Sequence, residues 1–295
     1  MADSVIIRGQ VIHNEGDSSG LLQVGTFQTA LLDLIQSPSG HTDSIVDAVN
    51  NSTQNTKLPL DRLSVGKGLA YQYQISGKST YKRIIDALRT SIDLQPRNAF
   101  GGLWYYVFPN WSYLDGMFSL LSFSPLYTAA FKQFNTTAVT NNPFHQLDLL
   151  WLHCHDNQTD LLFYGYDASK TAVWANPITV LAEDDRVVKW CARFTDLANA
   201  LVESVDPVSR AWWQVLSAPG REGNYIESSG SAMFVYTLLK GVRVGFLPES
   251  ETKFTAVAER AYHEIYYVHQ PLVYDSVLGS AAFIRASIEH EFYTL

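Results

Sequence analysis

Apolar side chains recur along most of the chain at three- and four-residue steps, which is the period of an amphipathic helix. Ser79 or Thr80 is the predicted N-cap of the clearest such helix, and Gln95-Pro96 is its predicted stop. The buried face of this helix is predicted to consist of Tyr81, Ile84, Ile85, Leu88 and Ile92.

The same period predicts further helices, and no run of alternating apolar and polar residues is convincing as a strand. Pro143 is expected in a first helical turn, where its missing N–H costs nothing. The fold is therefore predicted to be all-α. We expect residues 1–20 to be irregular and residues 21–295 to form one domain. The further predicted helices cover residues 21–35, 42–49, 60–75, 117–134, 143–154, 187–201, 229–240, 252–267 and 275–291.

Loops that carry aromatic and acidic side chains recur after about every second predicted helix. Helical hairpins arranged in a ring would show this pattern if one rim of the ring held a binding site. The chain has 295 residues, of which 13% are aromatic, including 7 Trp and 16 Tyr. So many rings fit a cleft in which sugars stack, and they equally fit a core rich in rings.

The net charge of -8 leaves no basic stripe to neutralise phosphates, so we expect neither nucleic acid nor an acidic membrane as a partner. Two cysteines, Cys154 and Cys191, are too few for a disulfide framework or a cysteine metal site. The first residues lack the apolar run of a signal peptide, which predicts a cytoplasmic protein. A secreted protein is the alternative if the natural start lies upstream, and it would make use of the glycosylation triplets at Asn50, Asn51, Asn110, Asn135 and Asn157.

Several catalytic motifs are excluded by their spacing. His263 and His269 are six residues apart, so they do not share the helix face that a zinc protease requires. His153 and His155 would need further ligands to hold a metal, and the serines of residues 228–231 lack the flanking glycines of a nucleophile elbow. Carboxylate chemistry in an aromatic cleft is what remains.

Asp167 stands among Phe163, Tyr164, Tyr166 and Trp174. Aromatic neighbours disfavour the charged carboxylate and raise its pKa, as a general acid requires. An acid followed by Ala-Ser is also ordinary turn or helix-cap chemistry, so Asp167 alone does not decide between the two interpretations.

Five stretches in order along the chain resemble glycoside hydrolase family 105, the unsaturated rhamnogalacturonyl and glucuronyl hydrolases. The resemblance implies an (α/α)6 toroid of helical hairpins. The stretches are Gln95-Pro96-Arg97 with Gly101-Gly102-Leu103-Trp104, then Tyr113-Leu114-Asp115-Gly116-Met117, then Tyr166-Asp167 with Trp174-Ala175-Asn176-Pro177, then residues 224–233, and finally Leu278-Gly279-Ser280-Ala281-Ala282-Phe283.

This resemblance implies that Asp167 is the general acid and that Asp115 is its supporting carboxylate. It also implies a small unsaturated oligosaccharide as substrate, whose C4=C5 enol ether is protonated and hydrated without a metal or cofactor. The expected substrate-binding residues, whose aromatic members are stacking platforms or core residues, are Trp111, Tyr113, His155, Tyr164, Tyr166, Trp174, Trp212 and Gln214.

The chain departs from the family pattern at three points. Tyr164 stands where family members commonly carry a His, and helical segments look shortened after Pro177 and near Tyr266. The segment missing after Pro177 carries an Arg in the family, and an acidic substrate needs a cation. Two other interpretations therefore stay open, namely a non-catalytic member of the family and another sugar enzyme built on an α/α toroid. The cations that could substitute are Arg62, Arg97, Lys170 and Arg221.

Overall fold

The computed structural model describes residues 20–35, 60–105, 111–131, 136–167, 186–267 and 277–294. Several predicted features lie outside these described residues. They are nearly all of the irregular segment 1–20, the helix over residues 42–49, Lys170, Trp174 and the shortened stretch after Pro177.

The described residues form nine α-helices, one 3-10 helix and two three-residue strands, so the prediction of an all-α protein is confirmed. Among these helices, none has both the length and the apolar character needed to cross a membrane. The α-helices are α1 (Gly20–Ile35), α2 (Gly66–Ser76), α3 (Ser79–Leu94), α4 (Asp115–Phe131), α5 (Thr136–Cys154), α6 (Arg186–Glu203), α7 (Ser228–Arg243), α8 (Lys253–Tyr267) and α9 (Val277–Thr294). The 3-10 helix is Leu60–Leu63, and the strands are β1 (Trp111–Tyr113) and β2 (Gly165–Asp167).

The predicted helix over residues 60–75 is interrupted. The 3-10 helix ends at Leu63, and α2 begins at Gly66. The hydroxyl of Ser64 donates a hydrogen bond of 2.6 Å to the carbonyl of Asp61. A side chain that bonds to nearby backbone in this way offers an alternative to the helical ladder.

Two predicted boundaries are wrong. Ser79 is already helical, so the N-cap of α3 is Lys78, which is in an extended conformation. The Lys78 side chain forms no capping hydrogen bond. Pro143 lies inside α5 rather than in its first turn, since that helix begins seven residues earlier at Thr136. Of the predicted face of α3, Ile85, Leu88 and Ile92 are at most 1% exposed. Its other two members, Tyr81 and Ile84, are partly buried and pack against the same core.

The described residues divide into two compact units. The N-terminal unit contains residues 20–28, 60–105, 111–131 and 136–167. In it α2 packs on α3, and α4 packs on α5 and on the 3-10 helix. Its core includes Leu60, Leu63, Leu88, Leu120, Phe123 and Tyr166.

The C-terminal unit contains residues 29–35, 186–267 and 277–294. Helix α7 packs against both α8 and α9, and the carboxylate of Glu227 caps α7 by accepting hydrogen bonds from the backbone N–H groups of Ser229 and Gly230. In α8, which the sequence predicts over residues 252–267, Phe254, Val257, Ala258 and Ala261 are buried at helical spacing. A single domain over residues 21–295 stays a prediction.

Candidate active site

Two short antiparallel strands in the N-terminal unit, β1 and β2, join the segments that carry the predicted aspartates. They are distant in sequence, and their pair is here called the hairpin. Strand β1 pairs with β2 so that Trp111 lies opposite Asp167, Ser112 opposite Tyr166, and Tyr113 opposite Gly165. The sequence predicted these segments to be loops, because three residues are too few to display an alternating pattern. The pairing brings together two segments that are 52 residues apart (167 − 115).

Gly165 is required by the close approach of the two strands. A Cβ at this position would lie 2.3 Å from the carbonyl oxygen of Ser112, well inside contact distance. Beyond the strands, the N–H of Leu114 donates to the carbonyl of Tyr164 at 3.0 Å. The hairpin therefore fixes the residue that immediately precedes α4.

Successive side chains of a strand point to opposite faces, so the register sorts the hairpin into two faces. Ser112 and Tyr166 share the core face and are 4% and 1% exposed. The hydroxyl of Tyr166 accepts a hydrogen bond of 3.1 Å from the side-chain amide of Asn98, and burial raises the pKa of this phenol. Asp167 lies on the opposite face, together with Trp111 and Tyr113.

Asp115 is the first residue of α4 and is half-buried. The hydroxyl of Tyr164 donates a hydrogen bond of 2.6 Å to its Oδ2 atom. Burial raises the pKa of the Asp115 carboxyl, and the Tyr164 hydrogen bond lowers it by less, so the pKa stays above its ordinary value. The ring of Tyr164 also contacts that of Tyr113, with centroids 4.9 Å apart.

Asp167 ends β2 and is 2% exposed, so it is a buried acid on a strand whose backbone is paired with β1. An acid at such a position is held by its backbone pairing rather than by a mobile loop. This arrangement suits a group that must meet a substrate atom in one orientation.

A third acid, Asp61, was missed by the sequence analysis. It is 1% exposed within the 3-10 helix, and its pKa is raised to about 6. Burial is the largest cause, a hydrogen bond with Tyr105 acts in the opposite direction, and the charge of Asp115 raises the pKa further. The sequence did contain a sign of this buried acid, because Asp61 lies between Leu60 and Leu63, which are both buried residues of an apolar stretch.

His155 lies at the start of the segment that leads into β2, where it pairs with Leu162. Its imidazole forms hydrogen bonds with Asn157 and Asp160 and stacks on Trp151, with ring centroids 4.2 Å apart. A role of His155 in substrate binding stays a prediction.

Two more of the predicted site residues belong to the C-terminal unit. Trp212 is 1% exposed in the core of that unit, where its indole N–H donates to the carbonyl of Leu201 at 2.8 Å. Of the two alternatives for this ring, the core position is the one observed. Gln214 is exposed on the same unit.

Two of the predicted cations, Arg62 and Arg97, have hydrogen-bond partners of their own. The guanidinium of Arg62 is buried and donates to the hydroxyl and to the carbonyl of Ser91, at 2.8 and 2.9 Å. Arg97 donates to the carbonyl of Gly101 at 2.8 Å, and Arg221 is an exposed residue of the C-terminal unit. The described site therefore consists of Trp111, Tyr113 and Asp167 on the hairpin, together with the adjacent pair Tyr164 and Asp115.

Two curated relatives show sequence similarity to part of the chain. Protein Atu3128 of Agrobacterium fabrum (strain C58 / ATCC 33970) is 35% identical over 124 residues, which cover 34% of this chain and 52% of the relative. The 24.9 kDa protein in picA locus of Rhizobium radiobacter matches with the same identity and coverage. The chain thus spans about half the length of the curated relatives it matches.

Solved structures resemble the whole chain. A family 105 glycoside hydrolase of C. acetobutylicum ATCC 824 has a TM-score of 0.79 at 24% identity, covering 100% of this chain and 98% of the other. A family 88 glycosyl hydrolase from Bacteroides vulgatus has a TM-score of 0.69 at 15% identity, covering 92% of each chain. These similarities confirm the predicted α/α-toroid fold class and the likeness to family 105.

A family model accounts for nearly the whole sequence. The model described as Glycosyl Hydrolase Family 88 matches residues 26–184 and 182–294, which include Asp115, Asp167 and every helix from α2 to α9. The chain therefore belongs to Glycosyl Hydrolase Family 88.

Proposed function

We propose that the protein is a glycosidase that removes an unsaturated uronic acid from oligosaccharides left by a polysaccharide lyase, of the rhamnogalacturonan type. Family membership supports the glycosidase class. The observation that carries the proposal is the hairpin that holds Asp167 on an aromatic face and positions Asp115 at the start of α4.

In the proposed reaction Asp167 is the general acid. Its proton goes to C4 of the enol ether, and the π electrons of the C4=C5 bond form the new C4–H bond. The resulting positive charge at C5 is delocalised onto the ring oxygen, so the intermediate is an oxocarbenium ion. A nearby carboxylate stabilises such a cation, and Asp115 is the candidate for this role.

The second half of the reaction adds water. The Asp167 carboxylate, now without its proton, accepts one from the water that attacks C5, which restores the acid and leaves a hydroxyl on that carbon. The product is a hemiketal, which opens and releases the rest of the oligosaccharide. One acid thus acts in both steps, as general acid and then as general base.

Aromatic side chains supply the binding surface in this proposal. Trp111 and Tyr113 lie on the same face of the hairpin as Asp167, and both are partly exposed. Ring faces of this kind can stack on the apolar side of a sugar. Tyr164, half exposed, bonds to Asp115 and so connects this surface with the supporting carboxylate.

The test is incubation of the purified protein with an unsaturated disaccharide and measurement of the enol-ether absorbance in the ultraviolet. We expect the absorbance to disappear with the wild type, and the turnover number to fall by at least about 100-fold in Asp167→Asn, as for loss of a general acid. Asp115→Asn should also lower turnover, because it removes the stabilising charge.

Asp93→Asn is the matched control, since this acid is exposed at the end of α3 and its substitution should leave turnover unchanged. Circular dichroism should show native helix content in all three variants. A folded wild type that leaves the absorbance unchanged would reject the proposed reaction. An Asp167→Asn variant as active as the wild type would remove Asp167 from the mechanism.

A further inference from the structure

A cluster of metal-ligating side chains lies between two helices of the C-terminal unit. Glu259 and His263 are four residues apart on α8, so they share one face of the helix. His290 reaches the same place from α9. One potential ligand atom from each of the three residues lies within 4.8 Å of the other two.

We propose that Glu259, His263 and His290 bind one divalent transition-metal ion, with Zn²⁺ as the best match, and that the ion links α8 to α9. Two imidazoles and one carboxylate form a ligand set that zinc commonly takes, whereas Mg²⁺ and Ca²⁺ prefer oxygen ligands alone. Three protein ligands leave the fourth position of a tetrahedral ion to water.

Two of the three ligands are already oriented. The Nε2 atom of His290 lies 3.1 Å from Oε2 of Glu259. The ring of His290 stacks on Tyr262, with centroids 4.2 Å apart and an interplanar angle of 18°, and the Tyr262 hydroxyl donates to Ser287 at 3.1 Å. Contacts that hold a ligand ring in one orientation are typical of metal sites.

The carboxylate of Glu259 also has an acceptor atom that is available to a metal ion. Its second oxygen, Oε1, is buried and has no hydrogen-bond partner among the described residues. A buried acceptor without a partner is costly, and a bound cation would satisfy it. His263 is exposed, so an ion can enter from solvent and the imidazole can rotate to complete the site.

The proposed ion has a structural role. Helix α7 packs against both α8 and α9, and the ion would add a direct connection between the two outer members of this group. A ligand that binds the folded protein but not the unfolded chain stabilises the fold. The site takes no part in the proposed glycosidase reaction, whose acids belong to the N-terminal unit.

The experiment uses full-length protein without an affinity tag, freed of metal with a chelator. Calorimetric titration with Zn²⁺ alone should show one equivalent bound, and native mass spectrometry should show the corresponding mass. His263→Ala and His290→Ala should each weaken binding by about 10-fold or more, because removing a ligand should cost at least as much as losing a contact that only orients one. Zn²⁺ should raise the Tm of the wild type and leave that of the double variant unchanged.

His145→Ala is the matched control, because this exposed histidine lies on α5 of the N-terminal unit, with its Nε2 atom 2.9 Å from the carbonyl oxygen of Phe100. It should bind Zn²⁺ as the wild type does. Glu259→Gln serves as a second test of the site if a histidine variant fails to fold. The proposal would be overturned by folded wild type that takes up no Zn²⁺, or by histidine variants that bind Zn²⁺ as tightly as the wild type does.

Discussion

Replacement of Asp61 by Asn tests the electrostatics of the N-terminal unit most directly. Asp61 is 1% exposed, and burial raises its pKa from the ordinary 3.8 to about 6. One pKa unit corresponds to about 1.4 kcal/mol, so ionising this side chain in the folded protein costs about 3 kcal/mol of the free energy of unfolding. The Asn variant keeps the shape of the side chain and cannot ionise.

The sign of the pH effect follows from the direction of the shift. Because the folded-state pKa lies above the unfolded value, the stability that protonated Asp61 contributes is fully present below pH 3.8 and is lost as the pH rises through about 6. Between about pH 4 and about pH 7, the free energy of unfolding of the variant should therefore rise by about 2 kcal/mol relative to that of the wild type.

Urea unfolding of both proteins across this pH range measures the difference. Asp93→Asn is the control, because this acid is exposed at its pair with Arg89 and its substitution should change stability by less than about 0.5 kcal/mol. The charge of Asp115 adds to the shift, so an Asp115→Asn background should reduce the pH-dependent gain. A difference between wild type and Asp61→Asn that does not change with pH would refute this reasoning.

Three further substitutions test the hairpin and the C-terminal unit. Tyr164→Phe removes the hydrogen bond that lowers the pKa of Asp115, so the acidic limb of the kcat/KM profile on an unsaturated disaccharide should move to higher pH, and an unmoved limb would contradict the role of Asp115 as a carboxylate. Gly165→Ala puts a Cβ 2.3 Å from a carbonyl oxygen of the opposite strand and should cost about 1–3 kcal/mol in urea unfolding. Arg243→Ala removes the guanidinium that donates two hydrogen bonds to the carboxylate of Glu289, which is only 3% exposed. The substitution should lower the free energy of unfolding by about 2–3 kcal/mol, less than the loss of one partner of a fully buried pair, because the arginine is 40% exposed. Equal stability of this variant and the wild type would show that the pair contributes nothing.

The helices could be predicted from the sequence because they are long enough to display their period. The stripe of α3 repeats over three turns, and three of the five residues that the spacing selects, Ile85, Leu88 and Ile92, are buried. Helix ends were harder to predict. Lys78 rather than Ser79 is the N-cap of α3, because the cap depends on the local backbone conformation and not only on which residue has a suitable side chain.

The candidate site was only partly predictable from the pattern of residues. Asp115 and Asp167 were found through the family resemblance, but strands of three residues carry no readable period, so their pairing in one hairpin was not foreseen. Asp61 was missed because its raised pKa arises from burial, which depends on tertiary packing. The position of His290 near His263 is likewise a result of helix packing, since the two are 27 residues apart (290 − 263).

The register of the hairpin determines which side chains are available for chemistry. In the observed pairing Tyr166 faces the core beside Asn98, and Asp167 faces the same side as Trp111 and Tyr113. A slip of one residue would exchange the two faces, because the side-chain period of a strand is two. The acid would then enter the apolar core, and the phenol would take its place on the aromatic face. The close approach at Gly165 opposes such a slip, since a residue with a Cβ does not fit against the carbonyl of Ser112. The close approach at Gly165 thus helps to determine the face of the strand on which the proposed acid lies.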